Sequence, residues 1–232
     1  IRQTHAKAHE KLIKRLERSI GMTMFGGQSL NTEFRLLTSV SHTTHPVGWE
    51  EISARKQEVI NVAAAMLQEN YQYTVTRRGS DLTEYVLSAP VLLAGEDVPV
   101  RTLTGKVVRT DLTGRMGPLM PENLPRFPVR QWLEFLAGLT REQVQERHAE
   151  WVKWCWKGCR ARPDDKGAAR MVTNYAALAL AWSLLCEFAG MARDAGEFPR
   201  TLRAEMNAHI AQTSGDRSPW VWILETAFSE IE

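Results

Sequence analysis

Four prolines, Pro118, Pro121, Pro125 and Pro128, crowd the stretch GRMGPLMPENLPRFP and separate two parts of the chain with different periodicity. Proline fixes φ and offers no N–H, so neither a helix nor a central strand runs through such spacing, and the stretch reads as a linker or an ordered surface loop. Ahead of it, short apolar segments of strand length alternate with amphipathic helices, the pattern of a mostly parallel sheet covered by helices. Behind it every segment reads as helix. The expected organisation is an α/β core over residues 1–123 followed by an all-α domain over residues 124–232.

In the first part, Leu12, Ile13, Leu16 and Ile20 lie at helical spacing among basic residues, and Gly21 follows as a stop. MTMFGG reads as a short strand, Leu30 to Val40 as a helix, and Val47 to Trp49 as a strand closed by Glu50 and Glu51. Ser53 is placed to cap a helix from Ala54 to Tyr71. Tyr73 to Arg77 and Glu84 to Leu87 form a candidate hairpin across RGSD, and VLLAG after Pro90 has the look of a strand buried on both faces. KVVRTDL, Lys106 to Leu112, is a further strand candidate. In the second part Pro128 opens VRQWLEFLAG, Thr140 with Gln143 makes a capping box for the helix carrying Trp151, Trp154 and Trp156, Asp165 precedes a long Ala-rich helix, and Ser218 with Pro219 opens the last one.

A hydrophobic content of 44% over 232 residues suffices for a packed core without metals or disulfides. The three cysteines are odd in number and have no secreted-style spacing, so a reducing, cytoplasmic compartment is expected. The charged N-terminus lacks the apolar stretch of a signal peptide, and the start at Ile1 rather than methionine points to a longer native protein. Tyr175 to Ala192 is almost long enough to span a bilayer but contains Ser183 and Glu187, so a buried core helix, and no membrane, is the simpler reading. The net charge of +2 does not identify a nucleic-acid partner by itself.

The sharpest chemical feature is HPVGWEEISAR. A strand that ends in two adjacent carboxylates suits a nucleotide-hydrolysing site, in which one carboxylate holds the Mg²⁺ shell and the next polarises the attacking water. Glu50 and Glu51 take those places, with Glu50 reaching the metal indirectly. The alternative is a helix start, where the dipole favours acidic residues. In PVLLAGEDVPVR a second strand emits Glu96 and Asp97, positioned as a polar sensor of the γ-phosphate if the two strands are neighbours, or as solvated loop residues if they are not. Arg101, Arg109 and Arg115 follow, and an arginine presented to a neighbouring subunit's phosphate is the usual trans-acting group of ring ATPases.

HTTHPVGWEEISARKQ followed by APVLLAGEDVPVRTLTGKVVR resembles the C-terminal ATPase module of Toprim/zinc-finger primase-helicase proteins of phages, plasmids and integrative elements, which are distantly similar to superfamily-three helicases. FPVRQWLEFLAGL, RMVTNYAALALAW, EMNAHI and PWVWILE resemble parts of the same family, so the likeness covers nearly the whole chain. It implies a P-loop NTPase-like core, ATP and Mg²⁺ as cofactors, DNA as a partner, a ring-type homo-oligomer, and an associated primase domain or subunit. By the resemblance Glu50 and Glu51 match the acidic motif, and Glu96 with Asp97 the sensor.

One departure is large. Such a module carries a GxxxxGK[ST] loop whose amides and lysine cradle the phosphates, yet before Lys11 to Ile20 this chain has THAKAHEK and no glycine. Lys7 and Lys11 are poor substitutes. Two functions therefore stand: an ATP-driven nucleic-acid motor or replication-associated helicase module of a mobile element, and a catalytically degenerate scaffold whose Trp-rich helical half serves as an interaction module. His5 with His9, and His42 with His45, have spacings compatible with metal but no further ligands of matching pattern. Cys155 and Cys159 read as packing residues beside the tryptophans.

Overall fold

A computed structural model describes residues 19–26, 32–50, 57–71, 75–78, 83–94, 106–109, 125–192 and 197–216. The chain forms two compact units, Ile1–Leu103 with Gly114–Val129, and Thr104–Thr113 with Arg130–Glu232. Among the described residues it is mixed α/β and mostly helical, with one three-stranded parallel sheet, one two-stranded antiparallel sheet and six helices.

In the first unit the order is β1 (Thr23–Phe25), α1 (Glu33–Ser41), β2 (Val47–Glu50), α2 (Gln57–Tyr71), β3 (Val75–Arg78), β4 (Thr83–Val86) and β5 (Val91–Ala94). The parallel sheet runs β1-β2-β5, so β2 is central, and the expected hairpin is present as β3 against β4. Parallel neighbours need a crossover, which α1 supplies between β1 and β2. Thr32 caps α1 by accepting from Arg35 N at 3.3 Å, and the helix turns Leu36, Leu37, Ser39 and Val40 inward. These residues meet Val47 and Trp49 of β2, Ala63 and Met66 of α2, and Leu87 and Ala89 in one core.

The core holds one polar device. Trp49 is fully buried and its indole N–H donates to Ser39 Oγ at 2.9 Å, while Ser39 Oγ donates to Leu36 O at 2.7 Å. The indole therefore has its acceptor inside the core, and α1 is fixed to the central strand at that point. Ala89 N donates to Val40 O at 3.2 Å and Val47 N to Pro90 O at 2.9 Å, closing the end of α1 onto the segment that enters β5. Gly48 leaves room for its neighbour: opposite Met24 in register, a Cβ there would lie 1.8 Å from the Met24 sulfur and would force that side chain to another rotamer.

Two expectations are corrected in this region. VLLA is a strand, but it is not buried on both faces: Leu92 is 46% exposed, while Val91 and Leu93, whose side chains project from the opposite face, pack against the core. Lys106–Arg109 contains no strand; these residues form a turn and bend within the second unit, and residues 110–112 lie outside the described residues. Ser53 and the expected helix start at Ala54 also lie outside them.

The second unit contains α3 (Val129–Ala137), α4 (Arg141–Lys157), α5 (Lys166–Phe188) and α6 (Phe198–Asp216), Val129 itself being counted with the first. The capping box of α4 is present, with Gln143 N donating to Thr140 Oγ1 at 3.3 Å and Thr140 N to Gln143 Oε1 at 2.9 Å. Asp165 caps α5 through Gly167 N and Ala168 N. Gly190, at φ 66°, ends α5 in a Schellman motif: Met191 N donates to Cys186 O at 2.7 Å and Gly190 N to Glu187 O at 3.1 Å. α5 contacts both α4 and α6, and buries Met171, Val172, Tyr175, Ala176 and Ala179. It is the one described helix long and apolar enough to cross a membrane, and half of its apolar window is buried inside the unit.

Ser39→Ala should cost about 1–3 kcal/mol, because it leaves the Trp49 N–H buried without its acceptor. Trp49→Phe removes the donor as well, so in urea unfolding the double variant should lose less than the two single losses added together. Strict additivity would show that the indole–hydroxyl bond contributes nothing.

Candidate functional site

The three parallel strands run in one direction and end along one edge. Phe25, the last residue of β1, is in register with Trp49; Glu50, the last of β2, is in register with Ala94, the last of β5. Paired strands lie about 4.8 Å apart, so the backbone places Glu50 and the end of β5 side by side. The chain segments leaving this edge begin with Gly26 after β1, Glu51 after β2, and Gly95 followed by Glu96 and Asp97 after β5. Carboxyl ends of parallel strands are where ligands of open α/β sheets gather, because the loops there are free of the packing that occupies strands and helices.

The condition that made Glu96 and Asp97 interesting, adjacency of their strand to the one carrying Glu50, is thus met at the level of the backbone. Glu50 is described as a strand residue only; its side chain, and Glu51, Glu96, Asp97 and Arg101 entirely, lie outside the described residues. The strand before Gly26 was legible in the sequence, but its placement next to β2 was not. Gly26 itself is exposed and a Cβ there would meet nothing within 4 Å, so packing is not what calls for glycine at this edge.

Arg109 has a different setting from the one its sequence position suggests. Instead of continuing the sheet, Lys106–Arg109 belongs to the helical unit, with Val108 packed against its core. The buried Tyr175 hydroxyl donates to Arg109 O at 2.7 Å and accepts from Arg109 N at 3.2 Å. His209 Nδ1 lies 3.1 Å from the same hydroxyl. A hydroxyl has one proton and two lone pairs. With the proton given to Arg109 O, the His209 contact requires Nδ1 to carry the hydrogen, which assigns that tautomer from the network. The exposed Arg109 guanidinium donates to Gln212 Oε1 at 3.3 Å, a neutral acceptor. Its backbone is pinned, while its charge is committed to no described carboxylate.

Burial pushes the Tyr175 phenol up to about 12, against the pull of its bond to the Arg109 backbone, so it remains a donor throughout the ordinary pH range. Burial likewise raises the Cys155 thiol to about 11, with nearby Arg203 lowering it. A protonated thiol inside the core is a packing group rather than a nucleophile. His42 Nδ1 lies 2.6 Å from Thr38 O, one turn back on α1. Among the described residues no group of three or more His, Cys, Asp or Glu side chains converges. No family model, curated protein or solved structure matches this chain.

Tyr175→Phe should lower stability by about 1–3 kcal/mol, since it orphans part-buried backbone groups at Arg109, and should speed amide exchange selectively at residues 106–109. In the parent protein the raised Tyr175 pKa means that the native state holds a proton which the unfolded chain releases. Its contribution is complete below pH 10 and is lost as pH rises through about 12. Urea titrations should therefore show stability falling over that window in the parent and less steeply in Tyr175→Phe.

Proposed function

We propose that the first unit is the core of a nucleotide-hydrolysing module, P-loop NTPase-like in fold, serving a DNA-directed motor or replication helicase. The observation that carries the reading is the central position of β2, which brings Glu50 to the carboxyl edge of a parallel sheet in register with the end of β5. That arrangement is what a metal-nucleotide site of this class requires: acidic groups from a central strand, and polar groups from its neighbour, facing one phosphate.

The donor set suits Mg²⁺·ATP. Magnesium keeps several waters and is held by one or two carboxylates together with phosphate oxygens, so Glu50 would hold its water shell without a larger ligand cluster. The bound pair supplies the transferable phosphoryl group and the charge that neutralises it. With that pair bound, Glu51 would serve as the general base for the attacking water, and Glu96 with Asp97 would orient it. Arg101 or Arg109 would supply a cation to the phosphate of a neighbouring subunit in a ring. For Arg109 the cation would be carried by the helical unit, where Gln212 offers it only a neutral partner that a phosphate oxygen would outcompete. The reading also requires a phosphate loop, and no GxxxxGK[ST] occurs in these residues. This absence is the observation favouring the second reading, a degenerate scaffold used for interaction.

Both readings are separable in the intact native protein. Glu51→Gln should reduce ATP turnover by about 10²-fold or more, because a general base contributes that much, while nucleotide affinity changes little. A turnover equal to the parent's removes Glu51 from the mechanism, and failure of the parent to bind Mg²⁺·ATP favours the scaffold.

Mixing tests the arginine. Arg109→Ala subunits should poison parental ones, with activity falling more steeply than the mutant fraction, since a trans-acting arginine is worth about 10³ in rate. A loss in simple proportion, from a protein that sediments as a monomer, excludes the ring arrangement for Arg109.

A further inference from the structure

We propose that the turn joining α4 to α5, together with the adjoining flank of α6, is a docking surface for the backbone of single-stranded nucleic acid. The inference rests on the reading of the chain as a DNA-directed module and adds where the strand is held. Between Lys153 and Arg170 there are six basic residues and two acidic ones, a surplus of four in a chain whose whole net charge is +2. Of the two acids, Asp165 is engaged as the cap of α5, accepting from Gly167 N at 2.8 Å, and Asp164 lies 3.5 Å from Arg162. Lys157 and Arg160 are exposed, and neither they nor Arg203 pair with a carboxylate among the described residues.

Three contacts give these cations a fixed geometry. Asn207 of α6 accepts from Arg160 N at 3.1 Å and donates to Gly158 O at 2.9 Å, so one amide side chain clamps the start of the turn, where the chain leaves α4. The Arg203 Cζ lies 4.2 Å from the centroid of the Trp154 ring, a cation–π contact that holds the guanidinium against an aromatic support. Gly158 allows this: a Cβ there would fall 2.5 Å from Arg203 Cδ. The result is a part-exposed Arg203 held against Trp154, with exposed Lys157 at the end of α4 and exposed Arg160 in the clamped segment that follows.

Cations without carboxylate partners attract phosphates and release counterions on binding, and the part-exposed Arg203–Trp154 pair offers planar groups on which an unpaired base can stack. A duplex hides its base faces, and an acidic protein segment has no base to stack, so the combination fits a single strand best. The side chains of Lys157 and Arg160 are exposed and the turn is held through backbone groups, so their removal leaves the fold in place.

The test is fluorescence anisotropy of the whole 232-residue chain with a labelled oligothymidylate, and with a duplex of equal length, over a range of salt. The parent should favour the single strand. Lys157→Ala with Arg160→Ala should weaken binding by about fivefold or more and flatten the salt slope by roughly 1.4, the share of two phosphate contacts. Gly158→Ala, which displaces Arg203 without removing charge, should weaken binding with little change in slope. Arg203→Lys should behave like Gly158→Ala and provides the same readout if the alanine variant is unstable. Undiminished affinity in the double variant, tighter binding to duplex, or no binding by the parent overturns the proposal. Mg²⁺·ATP binding measured on the intact native protein carrying the same substitutions separates the outcomes: a protein that binds nucleotide but loses no strand affinity on removal of the patch refutes the docking surface alone, whereas strand binding through the patch without nucleotide binding in that intact protein refutes the motor alone.

Discussion

An indole buried in a small core must find an acceptor for its N–H, and much of the first unit is arranged so that Trp49 finds Ser39. The sheet has strands of only three and four residues, too few to hold one another in place by backbone bonds alone. What joins them to the rest of the unit is α1, whose Leu36, Leu37 and Val40 share one core with Val47 and Trp49 of the central strand. The bond joins positions only ten residues apart, and the segment through Ala89 closes onto the same pair at Val40 O. The edge where Glu50 lies inherits its geometry from that pairing.

Much of the architecture was legible in the sequence because it depends on local rules. The capping box at Thr140 and Gln143, the cap at Asp165, the hairpin across RGSD and the strands MTMF, VGW and VLLA all arise from side chains and backbone within a few residues of one another. Strand order is different in kind. Whether β5 lies beside β2 depends on contacts across forty residues, and the sequence supplied only a condition: if the strands are neighbours, the acids after them share an edge.

The two misreadings have physical causes. An unbroken apolar run such as VLLA means burial on both faces only when other elements cover both faces; here the face that carries Leu92 is left largely in solvent. KVVRTDL has β-prone residues, yet the Lys106–Arg109 part is held by a phenol sixty-six positions later in the chain, and its valine serves a helical core instead of a sheet. Propensity gives way when tertiary partners are better. The side chains at the sheet edge that would decide catalysis are ones on which pattern is silent, since a carboxylate at a strand tip and a carboxylate at a helix start are written with the same letters.

Tyr175 has a consequence for the order in which the helical unit assembles. Its hydroxyl joins Arg109 to His209, residues a hundred positions apart, and Arg109 reaches Gln212 across 103. Closing a loop of that length gains nothing until α5 and α6 already present the phenol and the imidazole together. The Lys106–Arg109 segment is therefore a late arrival on a surface built by others, and by the same logic an early departure when that surface loosens. Its attachment registers whether two distant helices are in place, which makes one short turn a gauge of the integrity of the whole helical unit.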